Sequence, residues 1–412
     1  MLLRIRRLVR SLIRSPRSAL VMLAVGNVPL CGQTTWNVAP PGSNLLGAIA
    51  SAQHGDTIVM ASGFYNVLSG ITTDKGLTIV GVPGAVIYGA GGGPALHVQN
   101  LGPSRTFTMR GVELMISSYV GFYAFLFDNN AGAIHLAKCR FRNTCSAFSC
   151  SPMLGITSCP LVTISECQTD NVQVELIGSN VAIAHCSFLG HEARAYPGST
   201  PGRAATNAIL VLTGVVTMAQ CSAAGGDGDG TYGGVAGLAM IGGSVAIAGD
   251  ANDVYAAGVQ GAASTIAASA IEVLGGSLLL APQVTLLPHA TQPGVLGSHA
   301  TSPRPLSVAT RAAAPGGTAT VTVIAEPGDS LFLFAGLPAA PWALPPFGDA
   351  WLLAGSGLAL ATQLMGPTEH WTHALPIPNV PVLSSLALTV QALGGGVSGP
   401  LRTSLPGAFV IE

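Results

Sequence analysis

Four stretches of this chain align with one another without a gap: residues 173–183, 208–218, 237–247 and 270–280. Each reads as a short strand with apolar residues at every second position, a turn containing glycine, and a second alternating strand. Period-two alternation sends one row of side chains to one face and the next row to the other. A second register carries the pattern toward the N-terminus. Two apolar residues spaced by one are followed three positions later by a small apolar residue or cysteine: Leu77/Ile79/Val82, Phe107/Met109/Val112, Ile134/Leu136/Cys139, Val162/Ile164/Cys167, Val181/Ile183/Cys186 and Val216/Met218/Cys221. Val245/Ile247 and Leu278/Leu280 continue the pair without the third member. Copies lie 19 to 35 residues apart, and a solenoid repeat takes roughly 20 residues or more. One such unit cannot bury its apolar row alone, whereas stacked units share one core. An antiparallel barrel or sandwich would need hairpin turns and would leave no column of like residues. The expected fold is therefore all-β, a right-handed parallel β-helix over residues 34–296.

An open end of such a stack exposes strands and apolar core, and needs a plug. Residues 45–53 read as a short amphipathic helix with Ser43 or Asn44 as cap, Gly55 as stop, and Leu45, Ile49 and Ala52 on one side. Before it, Arg4, Arg6, Arg7, Arg10, Arg14 and Arg17 precede a short apolar run over 19–30. That order reads as a secretory signal over 1–33, with a membrane anchor as the alternative. No later apolar run is long enough, and free enough of Gly, Pro and charge, to span a bilayer as a helix. Removing 1–33 leaves 11 basic against 18 acidic residues, a net charge near −7. A surface of that sign does not suit nucleic acid. The low charged fraction, 8%, with 49% apolar residues, excludes a disordered chain.

Residues 46–65, which contain Gly55-Asp56-Thr57-Ile58-Val59 and Gly63-Phe64-Tyr65, together with Lys75-Gly76-Leu77-Thr78-Ile79-Val80-Gly81, resemble the opening of pectin-lyase-like right-handed β-helix proteins. The resemblance covers residues 36 to about 290 and implies the solenoid and an association with polysaccharide. It does not single out an activity, since that superfamily includes lyases, hydrolases, esterases and binding proteins. Its uronate lyases gather acidic calcium ligands and a basic proton acceptor, and its hydrolases gather aspartates. Neither pattern stands out in this sequence.

Cys139, Cys167, Cys186 and Cys221 share one repeat position and read as a column of buried thiols, with disulfides between neighbours as the alternative for an exported chain. Cys145, Cys150 and Cys159 fall in a loop-rich stretch and are the better disulfide candidates. No Cys-x-x-Cys pair points to zinc. A Ser/Pro-rich linker, 297–305, ends the repeat. Beyond it, strands at 318–324, 330–334, 351–354 and 385–391 between Pro/Gly turns read as a small C-terminal β-sandwich over 306–412. This segment resembles a C-terminal module of secreted planctomycete proteins. Surface attachment, sorting, binding or capping of the solenoid are the roles open to it.

The loop 190–198 gathers His191, Glu192, Arg194 and Tyr196 on a long insertion, where rigid scaffolds often carry sites. His191, Glu192 and Arg194 are the candidate catalytic residues, and Tyr196 and Tyr232 the candidate ligand contacts. Asp227 and Asp229, set in glycine, are the candidate metal ligands for calcium, although two carboxylates alone are too few. No other cofactor is expected. His97, Glu175, Leu210, Ala239 and Glu272 should form one outward column. Its two acids lie three rungs apart, about 14 Å at about 4.8 Å per rung. Paired glycosidase carboxylates stand about 5–9.5 Å apart, so both acids read as solvated surface charges. Outward Thr78, Thr108, Thr163 and Thr217 should form a second column. The expected protein is a secreted or cell-surface component of a bacterial envelope. It would associate with extracellular polysaccharide without a catalytic centre; a polysaccharide lyase or hydrolase and a purely structural envelope protein are the alternatives.

Overall fold

Alternation along each strand decides the architecture, because it leaves every strand with one apolar row that only a neighbouring coil can cover. A computed structural model describes residues 34–411 except 90–92, 118–120, 145–149, 192–193, 197–198, 204, 228–234, 249–257, 261–267, 282–283, 289–291, 302–305, 312, 345–347, 353–356, 369, 380–385, 397–400 and 405. The chain divides into two compact units, Gln33–Pro305 and Leu306–Glu412.

In the first unit the chain visits three parallel sheets in strict rotation. After Thr35–Val38 and Thr57–Met60 in the first sheet come Gly63–Asn66 in the second, Ile71–Thr73 in the third and Thr78–Gly81 back in the first. The rotation continues to Ala300–Thr301. Among the described residues the sheets hold 11, nine and nine strands. The unit is a parallel β-helix. Its final strand, Ala300–Thr301, pairs with Ser277–Leu280, so the last coil extends into the stretch read from sequence as linker.

Register confirms the columns. In the first sheet, Ile134, Val162, Val181, Val216, Val245 and Leu278 stand directly over one another, and so do Leu136, Ile164, Ile183, Met218, Ile247 and Leu280. All are buried. Each such side chain contributes roughly 1.5–3 kcal/mol by leaving water, and the column shares that gain over all coils.

The corners are as regular as the strands. Between the first and second sheets the chain turns on one left-handed residue: Gly111, Lys138, Glu166, His185 and Gln220, with φ between 52° and 66°. Four of these five are not glycine, and a residue with a Cβ in this conformation is strained by about 1–2 kcal/mol; the ladders on both sides hold it there. The next residue then turns inward: Val112, Cys139, Cys167, Cys186 or Cys221, all buried. The expected member Val82 departs from this pattern. Its coil uses a four-residue turn closed by Ala85 N–H to the Val82 carbonyl. Val82 is therefore exposed, and buried Ala85 takes the inward place below Val112.

The cysteines are thiols of the core. The Cys139 N–H donates to Cys167 Sγ at 3.4 Å and the Cys167 N–H to Cys186 Sγ at 3.3 Å. Burial pushes the Cys139 and Cys186 thiols well above the ordinary cysteine range. Cys159, expected in a loop-borne disulfide, is also a buried thiol. It follows left-handed Ser158 at the corner between the third and first sheets, where Asn130 Nδ2 donates to its Sγ at 3.6 Å. Cys145 and Cys31 lie outside the described residues, and Cys150 lies in the strand Cys150–Thr157. Later coils turn this same corner on Gly214, Gly243 and Gly276, all at positive φ. A Cβ on Gly243 would meet the Gly214 carbonyl oxygen at 2.5 Å, and one on Gly276 the Gly243 oxygen at 2.4 Å. This stacking explains the Gly-Gly-Ser turns of the repeat.

Helix α1 spans Gly42–Ser51, so it starts three residues before the predicted residue 45, with Pro41 in the cap position expected for Ser43 or Asn44. A Cβ at Gly42 would lie 2.0 Å from the Asn66 oxygen, so the close approach to the first coil sets the start. Leu45, Ile49 and Ala52 are buried as expected. Lys75 Nζ donates to the Ile49 and Ala50 carbonyls at 2.9 and 2.7 Å and closes the C-terminal end. The Gly-Asp-Thr-Ile-Val and Gly-x-Tyr stretches have direct physical roles here. Buried Asp56 accepts from Thr34 N–H, Gln53 N–H and Trp36 Nε1–H at 2.8, 2.8 and 3.1 Å, tying helix exit to first strand. Tyr65 lies inside, and its hydroxyl donates to the Val38 and Ala61 carbonyls at 2.7 and 3.0 Å.

The second unit is a β-sandwich. Ser307–Arg311, Thr318–Ile324 and His370–Pro376 form one antiparallel sheet. Leu358–Leu364, Ser330–Gly336, Ala387–Gly395, Arg402–Thr403 and Gly407–Val410 form the other. Val321, Val323, Leu331, Leu333, Leu388, Val390 and Phe409 close the core between them. Gly348–Leu352 pairs as a hairpin with Pro338–Leu344.

Two measurements test these arrangements. Burial alone would raise the Asp56 carboxyl, but the hydrogen bonds from Gln53, Thr34 and Trp36, with Lys75 nearby, hold it below its usual value. Its contribution is therefore complete above about pH 4, the unfolded value, and is lost as pH falls through the lowered folded value. Asp56→Asn should lower stability at pH 7 by about 2–4 kcal/mol in urea melts, and the difference from the parent should shrink toward pH 2. Separately, Cys139, Cys159, Cys167, Cys186 and Cys221 should resist iodoacetamide in the native protein and react in guanidinium, as read by peptide mass. Resistance after unfolding would mean that they are paired.

Candidate functional site

The third sheet carries a polar cluster on its outer face that joins a buried carboxylate to a tyrosine two coils away. Its outward column runs Thr72, His97, Leu126, Gly155, Glu175, Leu210, Ala239, Glu272 and Leu296, one residue per coil. The expected members are in place, with Leu126 and Gly155 between His97 and Glu175. Beyond the capping helix, the three longest connections of the solenoid, 190–208, 225–237 and 261–270, all leave at the corner between the second and third sheets.

Glu175 is not the solvated surface charge expected from sequence; it is 7% exposed. The Tyr123 hydroxyl donates to Glu175 Oε1 at 2.5 Å from two coils away. Its ring crosses the intervening coil over Gly155, where a Cβ would stand 2.5 Å from Tyr123 Cδ1. Glycine at this position makes the slot in which the ring lies. Tyr123 reaches the outer face through a β-bulge. It pairs with Met153, whereas Phe125, two residues on, pairs with the next residue, Leu154. Strict alternation would place Tyr123 on the same inner face as Phe125; the bulge turns it out.

Electrostatics make this cluster a set of neutral donors and charged acceptors. Burial raises the Tyr123 phenol far above its ordinary value, and the hydrogen bond and charge of Glu175, with the charge of Asp128, raise it further. The phenol therefore remains protonated. Burial lowers the His97 imidazole despite the opposing pull of Asp128, and His97 Nε2 is buried without a hydrogen-bond partner among the described residues. His97, Tyr123, Asp128 and Glu175 thus lie on one outer face over four successive coils. No Lys or Arg occurs among the outward positions of this sheet in the described residues.

The sequence-predicted site residues are placed differently. His191 is buried at the base of the long insertion, where its N–H donates to Thr206 Oγ1 at 2.9 Å and its carbonyl accepts from Thr206 N–H. Arg194 and Tyr196 lie in Arg194–Tyr196, which pairs antiparallel with Ser199–Arg203 as a hairpin. Glu192 lies outside the described residues, and so do Asp229 and Tyr232. Asp227 is exposed. Among the described residues no group of three or more His, Cys, Asp or Glu side chains could hold a metal ion.

The threonine column of the first sheet is also in register and runs Thr78, Thr108, His135, Thr163, Ala182 and Thr217. Thr108, His135, Thr163 and Thr217 are buried. His135 Nδ1 lies 2.5 Å from Thr163 Oγ1. Burial lowers this imidazole to about 4.

The chain matches no known protein-family model and no curated protein sequence. The reading of its site therefore rests on its own geometry. Among the described residues no helix is long and apolar enough to cross a membrane.

Two outcomes follow from these groups. Glu175→Gln removes the charge facing Tyr123, so one tyrosine of the seven should titrate at lower pH in ultraviolet titration, and Tyr123→Phe should delete that late-titrating group. His135 is neutral when folded and takes up its proton near 6.5 when unfolded. Stability should thus fall as pH drops from about 6.5 through about 4, by up to about 3 kcal/mol, and His135→Gln should flatten that slope in pH-dependent melts.

Proposed function

We propose that this chain is an exported or cell-surface scaffold that binds an extracellular polysaccharide along the outer face of the third sheet. The observation that carries the reading is the Tyr123–Glu175 hydrogen bond laid across Gly155, with Asp128 and His97 beside it. Carboxylates accept hydrogen bonds from sugar hydroxyls, and the phenol ring offers an apolar plate. A solenoid presents these groups at a spacing of about 4.8 Å per coil, so the face runs as a track and suits a linear polymer better than a compact ligand. The resemblance of residues 46–65 to pectin-lyase-like proteins supports the same class of ligand, and the arginine-rich opening supports export.

Binding is favoured over bond cleavage. Elimination from a uronate needs a base that is free near neutral pH and a cation to hold the uronate carboxylate. The Tyr123 phenol is kept protonated, and the outward positions of the third sheet among the described residues carry acids without Lys or Arg. Glu175 and Glu272 stand three coils apart, about 14 Å, which is too far for the paired-carboxylate chemistry of glycosidases.

A glycan array probed with the full chain tests this reading. Binding to one or more linear glycans is expected, with no product in lyase or hydrolase assays on the bound glycans. Glu175→Gln and Tyr123→Phe should each weaken binding about 10-fold. Silence across the array, or binding that survives both substitutions, would overturn the assignment.

A further inference from the structure

The outer face of the third sheet changes character along its axis. Its early coils carry His97, Gln99, Tyr123, Asp128 and Glu175. Beyond Glu175 the described outward side chains are aliphatic or small, with Glu272 as the exception. Ile177 begins a column continued by Leu212, Ile241 and Leu274, each placed by a ladder bond: Leu212 N–H to the Leu176 carbonyl, Ile241 N–H to Val211, Leu274 N–H to Met240. Ile241 is 52% and Leu274 68% exposed, and Leu296, stacked on Glu272 in the adjoining column, is 47% exposed. These are large apolar side chains held in water at fixed spacing. The strand ends that carry them sit on glycine corners with no freedom to turn inward: a Cβ at Gly242 would lie 2.7 Å from the Leu212 carbonyl, and one at Gly275 would lie 2.4 Å from the Ile241 carbonyl.

We infer that this aliphatic column reads acyl groups, so that the ligand of the third-sheet face is a neutral polysaccharide bearing acetyl substituents. The inference rests on the reading of that face as a polysaccharide track and adds the class of polymer. Three observations argue for it. The aliphatic column is continuous with the polar cluster, since Ile177 is two residues from Glu175 on the same face. Bare sugar rings pack best on aromatic plates, and the described outward positions beyond Glu175 are aliphatic, small or acidic, which fits methyl groups on a chain. Asp128, Glu175 and Glu272, with no Lys or Arg on the outward positions of this sheet among the described residues, disfavour uronates and sulfated glycans, so an uncharged polymer matches the face. A second protein chain fits less well. The column is one side chain wide and offers on the order of a few hundred Å², against about 800 Å² that each partner buries in a stable interface.

The test compares acetylated glucomannan and acetylated xyloglucan with the same polymers after mild alkaline deacetylation. Binding of the full chain is measured by isothermal titration calorimetry, and self-association by analytical ultracentrifugation. The parent protein should bind an acetylated form about 10-fold or more tightly than its deacetylated counterpart, the discrimination that one or two buried methyl groups supply. Ile241→Ser with Leu274→Ser should erase that preference and leave the weaker affinity for the deacetylated polymer unchanged; both residues are exposed, so the fold should survive. Glu175→Gln should weaken both forms equally. Equal binding of the two forms by the parent would overturn the acyl assignment and leave the polysaccharide reading standing. A preference that survives the double substitution would overturn the placement on this column. Binding of neither form would overturn both readings, and self-association lost in the double variant would assign the column to a second copy.

Discussion

The contact on which the structure depends is the stacking of one inward side chain on its counterpart in the next coil. Val181 on Val216 on Val245 on Leu278 is one such line, and Ile183 on Met218 on Ile247 on Leu280 is another. Parallel pairing forces this geometry. Once the backbone ladder of one coil is in register with the next, equivalent residues must meet, and any polar residue in the line would be buried without partners. The corners enforce the register. Left-handed Lys138, Glu166, His185 and Gln220 stand at one edge of the first sheet, and Gly214, Gly243 and Gly276 at the other, so its strands are fixed at their ends.

Polar side chains enter the interior only where the stack supplies their partners. Asn130 is fully buried. Its Oδ1 accepts from the Leu101 N–H, and its Nδ2 donates to the Val98 carbonyl and Cys159 Sγ, so it ties three successive coils. Ser179 lies two coils further on, accepting from the Cys159 N–H and facing the Ile156 carbonyl of the preceding coil and the Ile177 carbonyl of its own corner, to which its hydroxyl donates. The cysteine column follows the same logic with weaker bonds. A thiol is small, tolerates an apolar neighbour and still meets a backbone donor, so it suits a corner that turns inward. The same rule applies at the open end, where Asp56 gathers three donors and Tyr65 sends its hydroxyl to two carbonyls.

On the outside the sheets diverge, because nothing there is forced to repeat. The second sheet carries an exposed network, Arg140 and Arg142 with Asp170 and Arg142 with Glu113. Its members are partly solvated and compensate one another, so it contributes little stability and offers no net charge. The third sheet, among the described residues, carries no Lys or Arg on its outer face; it is acidic and aromatic in its early coils and mostly aliphatic in its later ones. A rigid stack with one irregular, unsatisfied face is the arrangement expected where a scaffold has been given a binding surface.

What the sequence determined by itself is the repeat and everything that follows from period two. The strand rows, the core columns, the capping helix and the outward column of His97, Glu175, Leu210, Ala239 and Glu272 were all legible, because alternation maps directly onto inside and outside. Two things were decided only by tertiary structure. Val82 left its predicted place because one corner is a wider turn, and a turn of that kind shifts the inward position to Ala85 without altering the apolar pattern. Tyr123 reached Glu175 because a bulge reverses the alternation of its strand and because Gly155 leaves room for its ring. Fifty-two residues separate the two partners, and the strands Gly121–Asp128 and Cys150–Thr157 fall outside the aligned repeat segments. Their meeting depends on the number of coils between them and on a local defect in register, which no pattern of residue types along the chain encodes.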